Sequence, residues 1–415
     1  MRAIREFLSN KRGAVSMVFA LSLIPILGGV GLAVDYARAN QAKAALQAAL
    51  DSTALAMAKQ APKNSQANLS LMGNYYFAAL MLQNNEITYS AIDLVKNPKN
   101  VTLRVTGTVK TSFAGMFGWK DFDVALTSAS AYGTKKIEVA LVLDNTGSMA
   151  ASNKIGELKK ASHALITMLS AASTTPDQVR VAIVPYTTRV NLGAGYRDEP
   201  WLTNTPTGTF MGGYNRPATR AAWGGCVADR DAPHNAATGA VSISMPKTLY
   251  PMVNCTDGVA MAQPLTSNWA LLKGRIDAMS ANGMTNITLG AQWGFEMLSG
   301  AAPFSQTSAD PDVERFMILL TDGDNTQDRW GAWNQSRMDG DTKAMCDAIT
   351  ERGVPEAAKL HRIKLYTVLV IDGNENLLRS CASNPSMFKK VNQASELEAV
   401  FRKIADDIGT IRLTM

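Results

Sequence analysis

The sequence predicts an α/β protein: a doubly wound, mostly parallel sheet, preceded by a single transmembrane or long helix and a small α+β region. Three observations carry that expectation. Four near-continuous apolar runs, Ile137 to Leu143, Val179 to Pro185, Phe316 to Leu320 and Ile363 to Ile371, have the character of strands buried on both faces of a parallel sheet. Helix-like segments separate them, notably Lys154 to Ala172, Asn286 to Leu298 and Thr342 to Arg352, and alternation of strand with helix is the pattern of layered α/β folds. Near the N-terminus, Ala14 to Val34 carries no formal charge and is long enough, as a helix, to cross roughly 30 Å of hydrocarbon.

Taken in order, residues 1–13 form a tail in which Arg2, Arg5, Lys11 and Arg12 face the single acid Glu6. The positive-inside rule therefore places the N-terminus in the cytoplasm and everything after residue 34 beyond the membrane. A cleaved signal peptide is the alternative, but no small-x-small exit marks a cleavage point. Residues 35–132 are expected to form a helical stalk and a small α+β region. Tyr36 to Lys59 is Ala-rich without Gly or Pro, and Leu46, Leu50, Thr53, Ala54 and Met57 share one helical face. That stripe suits either the core of its own domain or docking onto other rod-like helices. A polar break, Pro62 to Asn68, follows. Glu86 to Tyr132 is strand-like: Val101 to Thr111 alternates, and Asn97-Pro98-Lys99-Asn100 before it is a turn signal.

Residues 133–415 form the large domain, with insertions at about 190–265 and 324–341. The first is rich in Gly, Pro, Asn and Trp, and segments this long are usually functional or disordered. Its aromatics Trp201, Phe210, Tyr214 and Trp223 and its two cysteines argue for order, as a recognition surface or as an inert decoration. The second holds Asp324, Asp328 and Trp330. At the C-terminus, Leu397, Val400, Phe401, Ile404 and Ile408 make one apolar stripe, opened by a capping-box pattern at Ser395 and Glu398.

Composition narrows the function. The chain has 415 residues, 46% hydrophobic and 18% charged, with a formal net charge of +6. Lys and Arg are scattered, with no basic run interleaved with aromatics, which argues against nucleic acid as a partner. The cysteines Cys226, Cys255, Cys346 and Cys381 lack C-x-x-C spacing, and His163, His234 and His361 are too dispersed to complete a zinc site. Four cysteines allow three pairings; sequence proximity favours Cys226 with Cys255 and Cys346 with Cys381. An extracytoplasmic location permits disulfides.

Arg12-Gly13-Ala14-Val15, Phe19-Ala20-Leu21 and the exit VGLAVDYARA from Val30 to Ala39 resemble the TadE/TadG-like proteins of the Flp (tight adherence) pilus system, over about the first 50 residues. Pilin-like members carry a Glu a few residues past the Gly, where a prepilin peptidase cuts. Here the fifth residue after Gly13 is Val18, so no processing is expected. That departure fits the TadG-like branch, whose members stay in the membrane with a large C-terminal domain. The resemblance implies a single-pass protein of the bacterial inner membrane, its large domain periplasmic, with other Flp/Tad pilus components as partners.

In a doubly wound fold, ligands bind outside the carboxyl ends of the strands. The first apolar run stops at Asp144-Asn145-Thr146-Gly147-Ser148 and the third at Thr321-Asp322-Gly323-Asp324, while Gly283-Met284-Thr285-Asn286 opens a helix. Here the sequence resembles a von Willebrand factor A domain with a metal-ion-dependent adhesion site, over roughly Lys136 to Ile408. The family pattern is D-x-S-x-S, then a distant Thr, then a distant Asp. Asp144, Thr146 and Ser148 match the first element, with Thr in place of the middle Ser; Thr285 matches the second and Asp322 the third. The resemblance implies a divalent cation, Mg²⁺ first and Mn²⁺ or Ca²⁺ as alternatives, held by oxygen donors. Little direct negative charge then reaches the ion, which stays electrophilic and can accept a carboxylate from a protein partner. The implied function is metal-dependent protein binding, not catalysis.

Two rivals remain. Asp144-Asn145-Thr146-Gly147 is similar to the D-K-T-G of haloacid dehalogenase-like phosphoryl-transfer enzymes, with Asp144 as nucleophile. However, Asn145 replaces the Lys, Gly323-Asp324-Asn325 is an incomplete metal motif, and no P-loop is present. A purely structural envelope protein, in which a metal only braces loops, is the other.

Overall fold

The computed structural model describes residues 12–61, 64–84, 86–97, 100–132, 136–173, 175–205, 215–310, 312–332 and 334–411. Most of the expected cytoplasmic tail, Pro62, Pro98-Lys99, Phe210 and Tyr214 lie outside these residues. The chain divides into two compact units, one running to Thr134 and one from Lys135 to Thr414.

The first unit is built on one long helix, α1 (Arg12–Gln60), with Pro25 inside it. Val18, Phe19, Leu21, Ile24, Ile26, Leu27 and Val30 are between 57% and 66% exposed, and by length and composition this helix is able to cross a membrane. Further along, the helix changes character. Leu46, Leu50, Thr53, Ala54 and Met57 are all buried, so the stripe belongs to the unit's own core. It packs with Leu69 and Phe77 of α2 (Gln66–Met81) and with a four-stranded antiparallel sheet of β1 (Ile87–Tyr89), β2 (Asp93–Lys96), β3 (Asn100–Lys110) and β4 (Asp121–Ala131). The alternation expected in Val101 to Thr111 is realised in β3, where Val101, Leu103, Val105 and Val109 face that core.

The second unit is a mixed α/β structure around a six-stranded sheet. Its elements are β5 (Ile137–Asp144), α3 (Lys154–Ala172), β6 (Val179–Tyr186), β7 (Val190–Asn191), β8 (Leu202–Thr203), β9 (Cys226–Val227), β10 (Tyr250–Val253), β11 (Gln263–Thr266), α4 (Trp269–Asp277), α5 (Ile287–Leu298), β12 (Glu314–Thr321), β13 (Gln327–Asp328), β14 (Gly331–Ala332), α6 (Gln335–Ile349), β15 (Ile363–Val370), α7 (Glu375–Cys381), β16 (Phe388–Val391) and α8 (Leu397–Ile411). The sheet order is β11-β6-β5-β12-β15-β16, parallel throughout except for the antiparallel edge strand β11. All eight residues of β5 are buried. Val139, Leu141 and Leu143 meet Leu158 and Leu165 of α3 and Phe401 and Ile404 of α8, while Ala140 and Val142 meet Leu289 and Trp293 of α5. Helices therefore cover both faces, which is why the strands lack polar alternation.

Three expectations need correction. The helix expected at Thr342 to Arg352 begins at Gln335, because Asn334 caps it by accepting from the Arg337 N–H at 3.3 Å; part of the second insertion is thus helix. The capping box at Ser395 and Glu398 does not form: Glu398 pairs with Arg402 at 2.7 Å, and Glu396 accepts the Asn392 N–H instead. In the first insertion, Trp201 and Trp223 are core residues, 4% and 2% exposed, rather than a recognition surface. Trp201 sits against Tyr196, Tyr250, Trp293 and Phe304, all ring centroids within 6.4 Å. The insertion folds into its own small sheet, ordered β7-β9-β10-β8. The disulfides are Cys226–Cys255 within it and Cys346–Cys381 between α6 and α7.

Candidate metal centre

The centre is assembled at the carboxyl ends of neighbouring parallel strands. Asp144 is the last residue of β5, and Asp322 directly follows β12. After Asp144 the chain turns sharply: Asp144 Oδ1 accepts the Thr146 N–H at 2.8 Å and its hydroxyl at 2.6 Å. Ser152 and Asn153 take left-handed φ values of 52° and 54° before α3 starts at Lys154. The turn brings a row of side-chain oxygens together. The Thr146 and Ser148 hydroxyls are 3.0 Å apart, and Ser148 donates to Asp322 Oδ1 at 2.6 Å. On the far side, Thr321 donates to Asp144 Oδ2 at 2.7 Å.

Thr285 reaches this group through backbone. Gly283 C=O accepts the Gly147 N–H at 2.9 Å, and Asn145 C=O accepts the Asn282 N–H at 2.8 Å. Thr285 itself is buried, and it is not the helix cap: Asn286 Oδ1 accepts the Leu289 N–H. The structure thus links Asp144, Thr146, Ser148 and Asp322 side chain to side chain and holds the Thr285 loop beside their turn.

Both insertions brace that loop. From the first, Asp257 accepts from the Thr187 hydroxyl at 2.5 Å, its C=O accepts from Asn282 Nδ2 at 3.1 Å, and Asp229 accepts twice from Asn286 Nδ2 at 2.9 Å. From the second, Thr326 Oγ1 accepts the Thr285 N–H at 2.8 Å and Asn325 Oδ1 the Ile287 N–H at 2.9 Å. None of these bracing roles was legible in the sequence, since single Asp, Asn and Thr residues in long loops carry no positional signal.

Lys154 was also missed. Its ammonium donates to Asp322 Oδ2 at 2.8 Å, both side chains buried. One ammonium therefore faces two buried carboxylates. Burial first, and the Asp322 charge second, push the Asp144 carboxyl up to about 6, against the hydrogen bonds from Thr146 and Thr321 that favour its ionised form. A site with an excess of buried negative charge and only oxygen donors fits a hard divalent cation. Among the described residues no three His, Cys, Asp or Glu side chains gather, so such an ion would rely on hydroxyls to complete its shell.

Residues 13–59 match the family model described as putative Flp pilus-assembly TadE/G-like. No curated protein matches the chain in sequence. Among solved structures, the von Willebrand factor domain of the type V pili tip protein Mfa5 from Porphyromonas gingivalis is 11% identical, over 68% of this chain and 98% of that one, with a TM-score of 0.41. The pilus adhesin SpaC from Lactobacillus rhamnosus GG is 13% identical over 78% of this chain, with a TM-score of 0.39; the match spans only 34% of its length. Proximal thread matrix protein 1 from the mussel byssus, with a zinc-occupied MIDAS motif, is 13% identical over 66% of this chain and 47% of that one, with a TM-score of 0.35. Over residues 13–59, within α1, the chain is similar to the Flp pilus-assembly proteins of TadE/G type.

Proposed function

We propose that this chain is a membrane-anchored, extracytoplasmic protein-binding factor of Flp/Tad pilus assembly or anchoring, whose second unit is a von Willebrand factor A-type domain working through a divalent cation. The observation that carries the reading is the row of oxygens from Asp144, Thr146, Ser148 and Asp322 at adjoining strand ends. With Thr285 these residues would hold the ion, Mg²⁺ before Mn²⁺ or Ca²⁺. When bound, the ion supplies a Lewis-acidic position for an acidic side chain of a partner protein. Asp144 and Asp322 fix the hydroxyls in their rotamers, and the bracing by Asp257, Asp229 and Thr326 holds the Thr285 loop near the site in advance of binding.

The TadE/G-type match of the apolar helix supports the pilus context. The basic residues ahead of that helix support a cytoplasmic N-terminus in the inner membrane, and both disulfides favour an oxidising compartment for the second unit. Catalysis by Asp144 is disfavoured because its side chain is fully buried and both oxygens already accept hydrogen bonds, leaving it poorly placed as a nucleophile.

The test is capture of partners from envelope extracts by the detergent-solubilised full chain, with Mg²⁺ or with chelator. Capture is expected to need Mg²⁺ and to be lost in Thr285→Ala, whose circular dichroism stays native. Undiminished capture by that variant would overturn metal-dependent binding. Normal surface fibres in a strain lacking the protein would overturn the pilus role.

A further inference from the structure

The connection between β3 and β4 is unusual for a hairpin tip. Residues 111–119 carry no charge, and Phe113, Met116, Phe117 and Trp119 are 46%, 83%, 58% and 63% exposed. Hairpin ends in water are ordinarily polar, and clustered exposed aromatics mark a contact surface.

Its position says which surface. The tip folds back along α1. A Cβ built on Gly28 would lie 3.0 Å from Phe117 Cζ, and one on Gly31 only 2.7 Å from Phe113 Cβ, so the two rings rest on a glycine face of the apolar helix. Asp35, one turn further on, clamps the tip by accepting the N–H groups of Ser112 at 3.0 Å and of Phe113 and Ala114 at 2.7 Å. At the next turn Arg38 donates to Ser112 Oγ at 2.8 Å and pairs with Glu86. Polarity is therefore layered along the helix: aromatic contacts at Gly28 and Gly31, a buried carboxylate at Asp35, an exposed ion pair at Arg38. At 1.5 Å per residue, Gly28 lies about 10 Å below Asp35.

We infer that this loop is a second membrane contact, seated in the headgroup and acyl boundary of the bilayer that α1 crosses. The inference rests on the reading of α1 as an anchor. Lipid is the occupant because the loop's apolar exposure is continuous with that of Ile24, Leu27 and Val30, and ends where Arg38, Glu86 and the exposed Lys110 and Lys120 begin. Aromatic side chains flanked by lysines are the composition the interface favours, and a depth of about 10 Å matches that of interfacial segments. Two attachment points limit the tilt of the helix and fix the first unit's orientation on the membrane.

The experiment uses the full chain in phosphatidylcholine/phosphatidylglycerol vesicles. All four native cysteines are in disulfides, so a single added thiol is labelled uniquely. Met116→Cys and, separately, Ile24→Cys carry an NBD probe, and quenching by doxyl lipids at two depths is measured. The expected result is blue-shifted emission at position 116, quenched several-fold by the shallow doxyl lipid, with position 24 quenched by the deep one. Quenching at 24 but water-like emission at 116 overturns the loop contact and leaves the anchor standing. Shielding at 116 by energy transfer between copies, without lipid quenching, also overturns it. Failure of quenching at 24 overturns the anchor, and the loop contact with it.

Discussion

The two ends of β5 each bury a carboxylate, and they are treated oppositely. At the amino end Glu138 accepts from Arg180, from Arg315 at 3.2 Å and from the Ser308 N–H at 2.7 Å, so two guanidinium groups neutralise one acid. At the carboxyl end, Asp144 receives hydroxyls and an N–H, and the one ammonium nearby belongs to Asp322. The amino end is electrostatically closed and serves the fold. The carboxyl end is left short of positive charge, which costs stability but suits a cation from outside.

The comparison is broken most severely by Glu138→Ala. Two partly buried guanidinium groups then lose the buried acid they share, and the second unit is expected to lose about 3 kcal/mol in chemical denaturation, with Mg²⁺ affinity of the surviving fold unchanged. The converse change sharpens it. Asp144→Asn is expected to weaken Mg²⁺ binding by roughly 10–100-fold in calorimetry, yet to stabilise the metal-free domain by about 1–3 kcal/mol at pH 7. That gain follows because the side chain's ordinary value of 3.8 is pushed up to about 6 by burial and by Asp322, so its ionisation opposes folding. Destabilisation by Asp144→Asn in chelator would show the two ends to be alike.

Glu296 of α5 is an intermediate case. It accepts from the Tyr250 hydroxyl at 2.7 Å, but Arg230 stays 3.9 Å away. Burial pushes its carboxyl from 4.5 up to about 7, with Arg230 and Tyr250 pulling the other way. The fold keeps this proton up to about pH 7, whereas the unfolded chain releases it near 4.5, so the contribution is full below pH 4.5 and lost as pH rises through 7. Glu296→Gln is expected to remove about 1–2 kcal/mol of that decline in pH-resolved denaturation; an unaltered pH profile would refute it. Among substitutions within the site, Lys154→Met is expected to move Mg²⁺ affinity the least. Without the ammonium, Mg²⁺ affinity should rise about threefold to tenfold while metal-free melting falls; weaker Mg²⁺ binding would mean that Lys154 helps to build the site rather than compete with the ion.

Much of this was legible in the sequence. The four central strands show as apolar runs because burial on both faces removes alternation, and α1 shows through its uncharged stretch and its Leu46 to Met57 stripe. Edge strands β11 and β16 escaped notice because four residues at a sheet margin need no distinctive pattern. Asp144, Thr146, Ser148 and Asp322 were nameable because they stand where apolar runs stop and match the D-x-S-x-S and distant Asp pattern of the resemblance. Lys154, Asp257 and Asp229 were not, since their partners lie 168, 25 and 57 residues away.

By itself the sequence determined the four central strands, the long apolar helix α1 and the helices α3 and α5 to within a few residues, because propensity and hydrophobic period are local properties of the chain. It also determined that any ion here would meet oxygen donors. Only the tertiary structure decided that the buried Asp144 and Asp322 are linked through the Thr146 and Ser148 hydroxyls, that the tryptophans Trp201 and Trp223 are core, and that Phe113 and Phe117 lie on the glycines of α1. Those outcomes depend on which distant groups meet and on how little water is left between them, and neither quantity is a property of any single stretch of chain.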